Sequence, residues 1–182
     1  HGVCMACAWH THGTRMACAW HAQVSARCAD ATQPGEWWDG RPFAAVLLDA
    51  PCTGSGILRT RPEVKVRHSE ASLALLQGQQ LALLRATWPL LAEGGELLYT
   101  TCSVLAAENQ HSLATFMASE PSARPAALAP PSHGDGSTRA ASSEGLTFFP
   151  SAAHQGGFVA LLRKTTAATV APRRTRTRRR GV

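Results

Sequence analysis

Apolar residues in this chain fall in short unbroken blocks and one longer periodic stretch, separated by turn-forming residues. The run Phe43-Ala-Ala-Val-Leu-Leu48 is continuous and ends in Asp49-Ala50-Pro51-Cys52, while Pro34, Gly35, Asp39 and Gly40 mark a loop ahead of it. A run without alternation, bounded by turn signals, predicts a strand buried on both faces of a parallel sheet. A weaker strand is predicted over 24–28, ending at Asp30. Over 69–91 the residues Leu73, Leu76, Leu81, Leu84, Trp88 and Leu91 fall on one broad helical face, which predicts a helix that Pro89 bends or ends. Gly94-Gly95 then make a turn, and a strand over 96–99 runs into Thr100-Thr101-Cys102-Ser103. A helix follows over 106–119, then a Pro-, Ala-, Ser- and Gly-rich loop over 121–145, and two closing strands over 146–149 and 157–162.

This alternation of strand and helix, closed by a strand pair, is an α/β pattern. The helical crossover between the strands at 43–48 and 96–99 makes them parallel and, by rule, right-handed. Asp49, Cys52 and Cys102 therefore follow the carboxyl ends of parallel strands, outside which ligand crevices lie in open α/β sheets. Neighbouring strands lie about 4.8 Å apart. Two thiols and a carboxylate, distant in sequence, can thus face one crevice.

Composition alters the picture in three places. The formal charge of +6 is concentrated in Arg173, Arg174, Arg176, Arg178, Arg179 and Arg180, which leaves the rest of the chain formally neutral. Such a run reads as a solvated arm able to follow phosphates, or as one that only aids solubility. The six cysteines do not suggest a disulfide framework, because Cys52 and Cys102 sit where catalytic or buried thiols of a reduced compartment are found. Finally, HGVCMACAWHT (1–11) and HGTRMACAWHA (12–22) form a repeat identical at eight of eleven positions. Cys4-x2-Cys7 and Cys18-x2-His21 have zinc-ligand spacing, but duplication of any Cys/His stretch creates such spacing. No apolar run is long enough to cross a bilayer, so no membrane partner is expected. The opening at His1, with no signal-peptide pattern after it, reads as the start of a fragment.

The segments LLDAPCTGSGILRTRPEVK (47–65), QLALLRATWPLLAEGGELLYTTCSVLAAEN (80–109) and GGFVALLRK (156–164) resemble the RsmB (Sun/Fmu) family of S-adenosylmethionine-dependent ribosomal RNA cytosine-5 methyltransferases. The likeness covers about residues 23–165, and the DAPC and TCS motifs carry most of it. It implies a Rossmann-like class I methyltransferase sheet lacking its first strands. It divides the chain into the repeat at 1–22, a partial catalytic domain at 23–165 and a basic tail at 166–182. It also implies S-adenosylmethionine as cofactor, RNA as partner, with small-subunit ribosomal RNA the expected class, and a cytoplasmic location, with an organelle or the nucleolus left open by the arginine tail.

Individual roles follow from the same resemblance. Cys102 matches the nucleophile that attacks carbon 6 of cytosine. Cys52 matches the second cysteine, which assists proton removal and release of the product. Asp49 matches the carboxylate that holds the polar edge of the base near the methyl donor. Asp30 falls where the family places an acid near the cofactor, and Lys65 ends a basic loop that approaches the base or its backbone. An ordinary thiol titrates near ~8.5, so attack at neutral pH needs a favoured thiolate. Arg59, Arg61 and Lys65 are the candidates for that support, and the target base must leave its stack to reach the crevice.

The simpler readings stand beside these: a cysteine after a strand is commonly a small buried residue, and Asp49 can cap a turn. Two departures from the family are visible. The glycine-rich strand-to-helix turn expected before Asp30 is replaced by the repeat, and Gly54-x-Gly56 lies after the wrong strand to replace it. The edge left by the missing strands is expected to be exposed. Gly156-Gly157-Phe158 stands where an Asp-Gly-Phe turn is usual, and is expected to loosen the final hairpin. The rival functions are an RNA-binding remnant without catalysis, the same chemistry on transfer RNA, and a zinc module built on residues 1–28.

Overall fold

The computed structural model describes residues 6–8, 26–128, 139–152 and 154–166. Seven strands form one mixed sheet: β1 (Ala6–Ala8), β2 (Phe43–Asp49), β3 (Leu91–Thr101), β4 (Ala123–Ala126), β5 (Arg139–Ala141), β6 (Leu146–Phe148) and β7 (Gly157–Lys164). Three α-helices accompany them: α1 (Val64–Arg67), α2 (Glu70–Thr87) and α3 (Gln110–Ser119). The strand order is β1-β2-β3-β7-β6-β5, with β4 also pairing β7. Strands β2 and β3 are parallel, as the crossover through α2 requires, and every other pairing is antiparallel.

Ser69 starts α2 with a reciprocal cap, its hydroxyl accepting from Ser72 N while Ser72 Oγ accepts from Ser69 N. The helix stops at Thr87, where a short 3-10 turn over Trp88–Leu90 contains Pro89 and leads directly into β3. Leu91 therefore opens the strand, and the buried side of α2 is Gln80, Leu83, Leu84 and Thr87. The predicted helix at 106–119 begins later, at Gln110, because residues 106–109 form a turn that points Glu108 and Asn109 inward.

Cross-strand register divides the sheet into two unlike faces. Val46, Leu97 and Leu162 form one row and Leu48, Tyr99 and Ala160 the next, all buried. Helices α2 and α3 pack together over that side, where Trp88 meets Phe116 edge-to-face at 5.4 Å between ring centroids. The opposite face carries the row Leu47, Leu98, Leu161 and Ala126. There Leu47 is 38% exposed, so β2 is not buried on both faces as its unbroken apolar run predicts. Its burial alternates because the helices described here cover one face alone.

Three further expectations change. Residues 26–28 form no strand, and the rest of the predicted strand at 24–28 lies outside the described residues. The edge of β2 is not bare, since β1 pairs along it antiparallel, with Cys7 opposite Leu47. The supposed loop at 121–145 contains β4 and β5, which extend the sheet along β7 and β6. Cys4, Cys18, His21 and the terminal arginines lie outside the described residues. No described helix is long and apolar enough to cross a membrane.

Candidate active site

The parallel pairing of β2 and β3 brings Asp49 opposite Thr100, and Ala50 N donates to Thr100 O at 2.9 Å. Immediately beyond, the two chains turn, and Cys52 Sγ lies 3.2 Å from Cys102 Sγ. Fifty residues separate these thiols in sequence, so the contact is a product of strand register. Asp49 sits on the open face, exposed, and its Oδ1 accepts from Thr100 Oγ1 at 3.0 Å. Of the predicted catalytic residues, the fold thus groups Asp49, Cys52 and Cys102 at one sheet end.

Backbone contacts lock the Cys102 turn in place. Gly56 N donates to Cys102 O at 2.9 Å, and Gly156 N donates to Gly56 O at 2.8 Å. A Cβ on Gly56 would lie 2.3 Å from Gly156 O and 2.8 Å from Cys102 O. A Cβ on Gly156 would lie 2.7 Å from Pro150 Cδ. Glycine at 156 therefore permits the close seating of the final hairpin, where a loosened hairpin was expected. The same crowding holds Gly56 against the Cys102 turn, where its N–H is taken by Cys102 O.

The two thiols are electrostatically unlike. A hydrogen bond from Cys52 lowers Cys102 to about 7, against burial and the negative charges of Asp49 and Glu108. Cys52 moves strongly upward, through the same hydrogen bond and through its own burial. The favoured state has a thiolate at Cys102 and a thiol at Cys52. The thiolate was expected to lean on Arg59, Arg61 or Lys65, yet these cations are engaged or placed elsewhere. Arg59 donates to the carbonyls of Ser151 and Ala152, Arg61 pairs with Glu63 at 3.6 Å, and Lys65 is exposed on α1. The neighbouring thiol does the work assigned to a basic loop.

Below the cysteines lies a buried polar cluster that hydrophobic periodicity does not reveal. The Glu108 carboxylate is fully buried and accepts from Thr53 N at 2.8 Å, Thr53 Oγ1 at 2.6 Å, Ser103 Oγ at 2.6 Å and Gln80 Nε2 at 3.3 Å. Asn109 adds a link within the Cys102 turn, accepting from Thr101 Oγ1 and donating to Ser103 O. The signal available in the sequence was Glu108-Asn109 at the head of a predicted helix, polar where the amphipathic pattern would bury apolar residues.

Asp30 is exposed and separate from this cluster. Its Oδ1 accepts from Thr32 N and Thr32 Oγ1, at 2.8 and 2.7 Å, and these bonds hold its carboxyl below the usual range. The arrangement is a turn cap.

A pair of cysteines at the ends of adjacent parallel strands, one ionised and one protonated, is suited to nucleophilic attack with a proton-handling partner. Residues 10–163 match the 16S rRNA methyltransferase RsmB/F family. The chain belongs to that family.

Among its relatives, the ribosomal RNA small subunit methyltransferase B of Xylella fastidiosa (strain Temecula1) is 51% identical over 90 residues, covering 50% of this chain and 21% of that protein. The enzyme of the same name from Pseudomonas putida is 44% identical over 100 residues, covering 55% and 23%. The chain thus spans about a fifth of the length of these curated relatives. Among solved structures, PH0851 matches with a TM-score of 0.61 at 33% identity, over 75% of this chain and 30% of that one. NSun6 from Pyrococcus horikoshii, determined with SFG, matches with a TM-score of 0.60 at 26% identity, over 77% and 34%. The fold is accordingly the Rossmann-like α/β sheet of RsmB/F methyltransferases.

Proposed function

We propose that this chain carries the reaction centre of an RNA (cytosine-5) methyltransferase, with small-subunit ribosomal RNA as substrate. The observation that carries the reading is the 3.2 Å approach of Cys52 and Cys102, whose hydrogen bond pulls Cys102 down and pushes Cys52 up. The Cys102 thiolate adds to carbon 6 of a cytosine, forming a C–S bond and making carbon 5 electron-rich. S-adenosylmethionine supplies the methyl group that carbon 5 accepts; SFG, present in the NSun6 structure, is an analogue of it. Cys52, once its own proton has passed to solvent, takes the carbon 5 proton as a thiolate, and the C5–H electron pair re-forms the ring double bond and expels Cys102 as a thiolate. Asp49, exposed beside the pair, is placed to orient the polar edge of the base.

The residues described fit the methyl donor in part. Asp49 presents a carboxylate at the strand end where such a donor would lie. Asp30 engages Thr32, and no glycine-rich strand-to-helix turn occurs among the described residues. We therefore assign Asp49 as the donor-side contact, leave Asp30 as a turn cap that can also meet the cofactor through its exposed carboxylate, and assign Lys65, exposed on α1, to contact with RNA.

Covalent trapping tests the reading. The chain is mixed with RNA containing 5-azacytidine or 5-fluorocytidine and S-adenosylmethionine, beside a Cys102→Ala sample. The expected result is an RNA–protein adduct that survives denaturation and is lost in the variant. An adduct that persists in Cys102→Ala sinks the assignment of the nucleophile. Binding of RNA with no adduct in either sample supports instead a catalytically silent RNA-binding form, and its loss on removing residues 171–182 would place that binding on the arginine tail.

A further inference from the structure

Glu108 belongs to no motif singled out above, yet its environment is unusual. A carboxylate removed from water costs several kcal/mol unless donors replace its hydration, and hydrophobic residues of similar size often serve stability better. Among the described residues Glu108 is fully buried with no cation on it, and four donors reach it: Thr53 N, Thr53 Oγ1, Ser103 Oγ and Gln80 Nε2. Thr53 follows Cys52 directly, and Ser103 follows Cys102 directly. One oxygen, Oε2, takes both hydroxyls at 2.6 Å. Gln80 closes the arrangement by donating also to Pro51 O at 2.9 Å, on the other side of Cys52.

Resting on the reading of Cys102 as nucleophile, we propose that Glu108 is a positioning residue whose buried carboxylate ties the turns after Cys52 and Cys102 together and so sets the contact between the two sulfurs. Its position fits that role better than an electrostatic one. The charged and titratable groups acting on Cys102 are Cys52, Asp49 and Glu108, and both carboxylates oppose a thiolate there. Loss of the Glu108 charge alone would favour the thiolate. Loss of the tie would remove the Cys52 hydrogen bond and disfavour it. The two roles therefore predict opposite signs for one measurement.

That measurement is the pH midpoint of Cys102 alkylation by iodoacetamide, read on the Cys102 peptide by mass spectrometry, in the full chain. Glu108→Gln keeps the shape and removes the charge, but presents an amide to hydroxyls that need an acceptor. The expected result is a midpoint raised by about one pH unit, toward the ordinary thiol value near ~8.5. Ser103→Ala and Thr53→Val each cut one strand of the tie while leaving the carboxylate, and both should also raise the midpoint. These two variants carry the test if Glu108→Gln does not fold. A midpoint that falls or stays in place in folded Glu108→Gln, or stays in place in both single-tie variants, overturns the proposal. Because labelling needs neither RNA nor methyl donor, that failure would leave the methyltransferase reading untouched.

Discussion

Replacing Cys52 with alanine separates the two thiols chemically, and its consequence can be worked through in numbers. In the native pair Cys102 sits at about 7, and its largest support is the hydrogen bond from Cys52. Without that bond, burial and two carboxylates disfavour the thiolate, and they outweigh the one remaining support, a weaker backbone hydrogen bond at Cys102 itself. Its midpoint should then rise at least to the ordinary value near ~8.5. At pH 7 the ionised fraction would drop from about one half to roughly 3%, a loss of about 16-fold.

Reactivity falls by less, because a more basic thiolate is a better nucleophile. With a Brønsted slope near ~0.45, as for thiol–disulfide exchange, a rise of ~1.5 units returns about 5-fold. The net expectation is labelling of Cys102 about 3-fold slower at pH 7 in Cys52→Ala, and about 5-fold faster above pH 10. The two rate profiles must cross. The assay is peptide-resolved alkylation with iodoacetamide across pH 5.5–10.5, which keeps exposed Cys28 out of the signal. Parallel profiles, or a midpoint left at its native value in Cys52→Ala, would show that the neighbouring thiol does not set the state of Cys102.

Three further outcomes follow from the same structure. Cys102 is depressed in the folded chain relative to an ordinary thiol, so between its folded value of about 7 and the unfolded value the unfolded chain holds more protons. Stability should therefore rise with pH through that interval and be lost as pH falls through 7; urea midpoints at pH 6.5 and 8.5 should differ in the native chain and converge in Cys102→Ala. Gly56→Ala would force a Cβ against Gly156 O and Cys102 O, which should cost about 1–3 kcal/mol in urea unfolding and also shift Cys102 labelling. Trp88→Ala would empty the space beside Phe116 and remove the donor to Ser122 Oγ, for a loss of roughly 3–5 kcal/mol by the same unfolding measurement, with Cys102 labelling in the folded fraction unchanged.

The strands at 43–48 and 96–99, the closing strands and the long helix were legible because their signals are local: an apolar run between turns, a 3.6-residue period, Pro89 at the end of a helix. From these the parallel β2–β3 pair followed, and with it the grouping of Asp49, Cys52 and Cys102. Two kinds of feature escaped. One is burial by faces, since the run at 43–48 is equally apolar whether one side or both are covered; the half-exposed Leu47 is decided by the absence of a helix opposite it among the described residues. The other is chemistry between side chains distant in sequence. The support for the Cys102 thiolate was sought in the nearest basic residues, but register placed a second cysteine there instead. Glu108 escaped in the same way, because its four donors belong to Thr53, Gln80 and Ser103, which lie 55, 28 and five positions before it.

The distribution of these parts bears on what a chain of this length can do. Among the described residues, the groups that hold the thiol pair lie between Phe43 and Gly157: β2, β3, the Gly56 and Gly156 contacts, and the Glu108 cluster. Asp30 makes none of these contacts, and β1 meets them through its pairing with β2. Cys102 and Cys52 are therefore brought together by one contiguous segment, while among the described residues the outer edge of β2 is paired by β1. Thiol activation and donor binding are then separable properties of this fold. Cys102 should be found as a reactive thiolate near neutral pH even where the donor binds weakly. A calorimetric dissociation constant for S-adenosylmethionine weaker than micromolar, together with a Cys102 labelling midpoint near the folded value, is the combination this construction requires. Submicromolar donor affinity would mean that residues other than a glycine-rich turn complete the cradle, and a midpoint near that of a free thiol would mean that the segment does not assemble its site by itself.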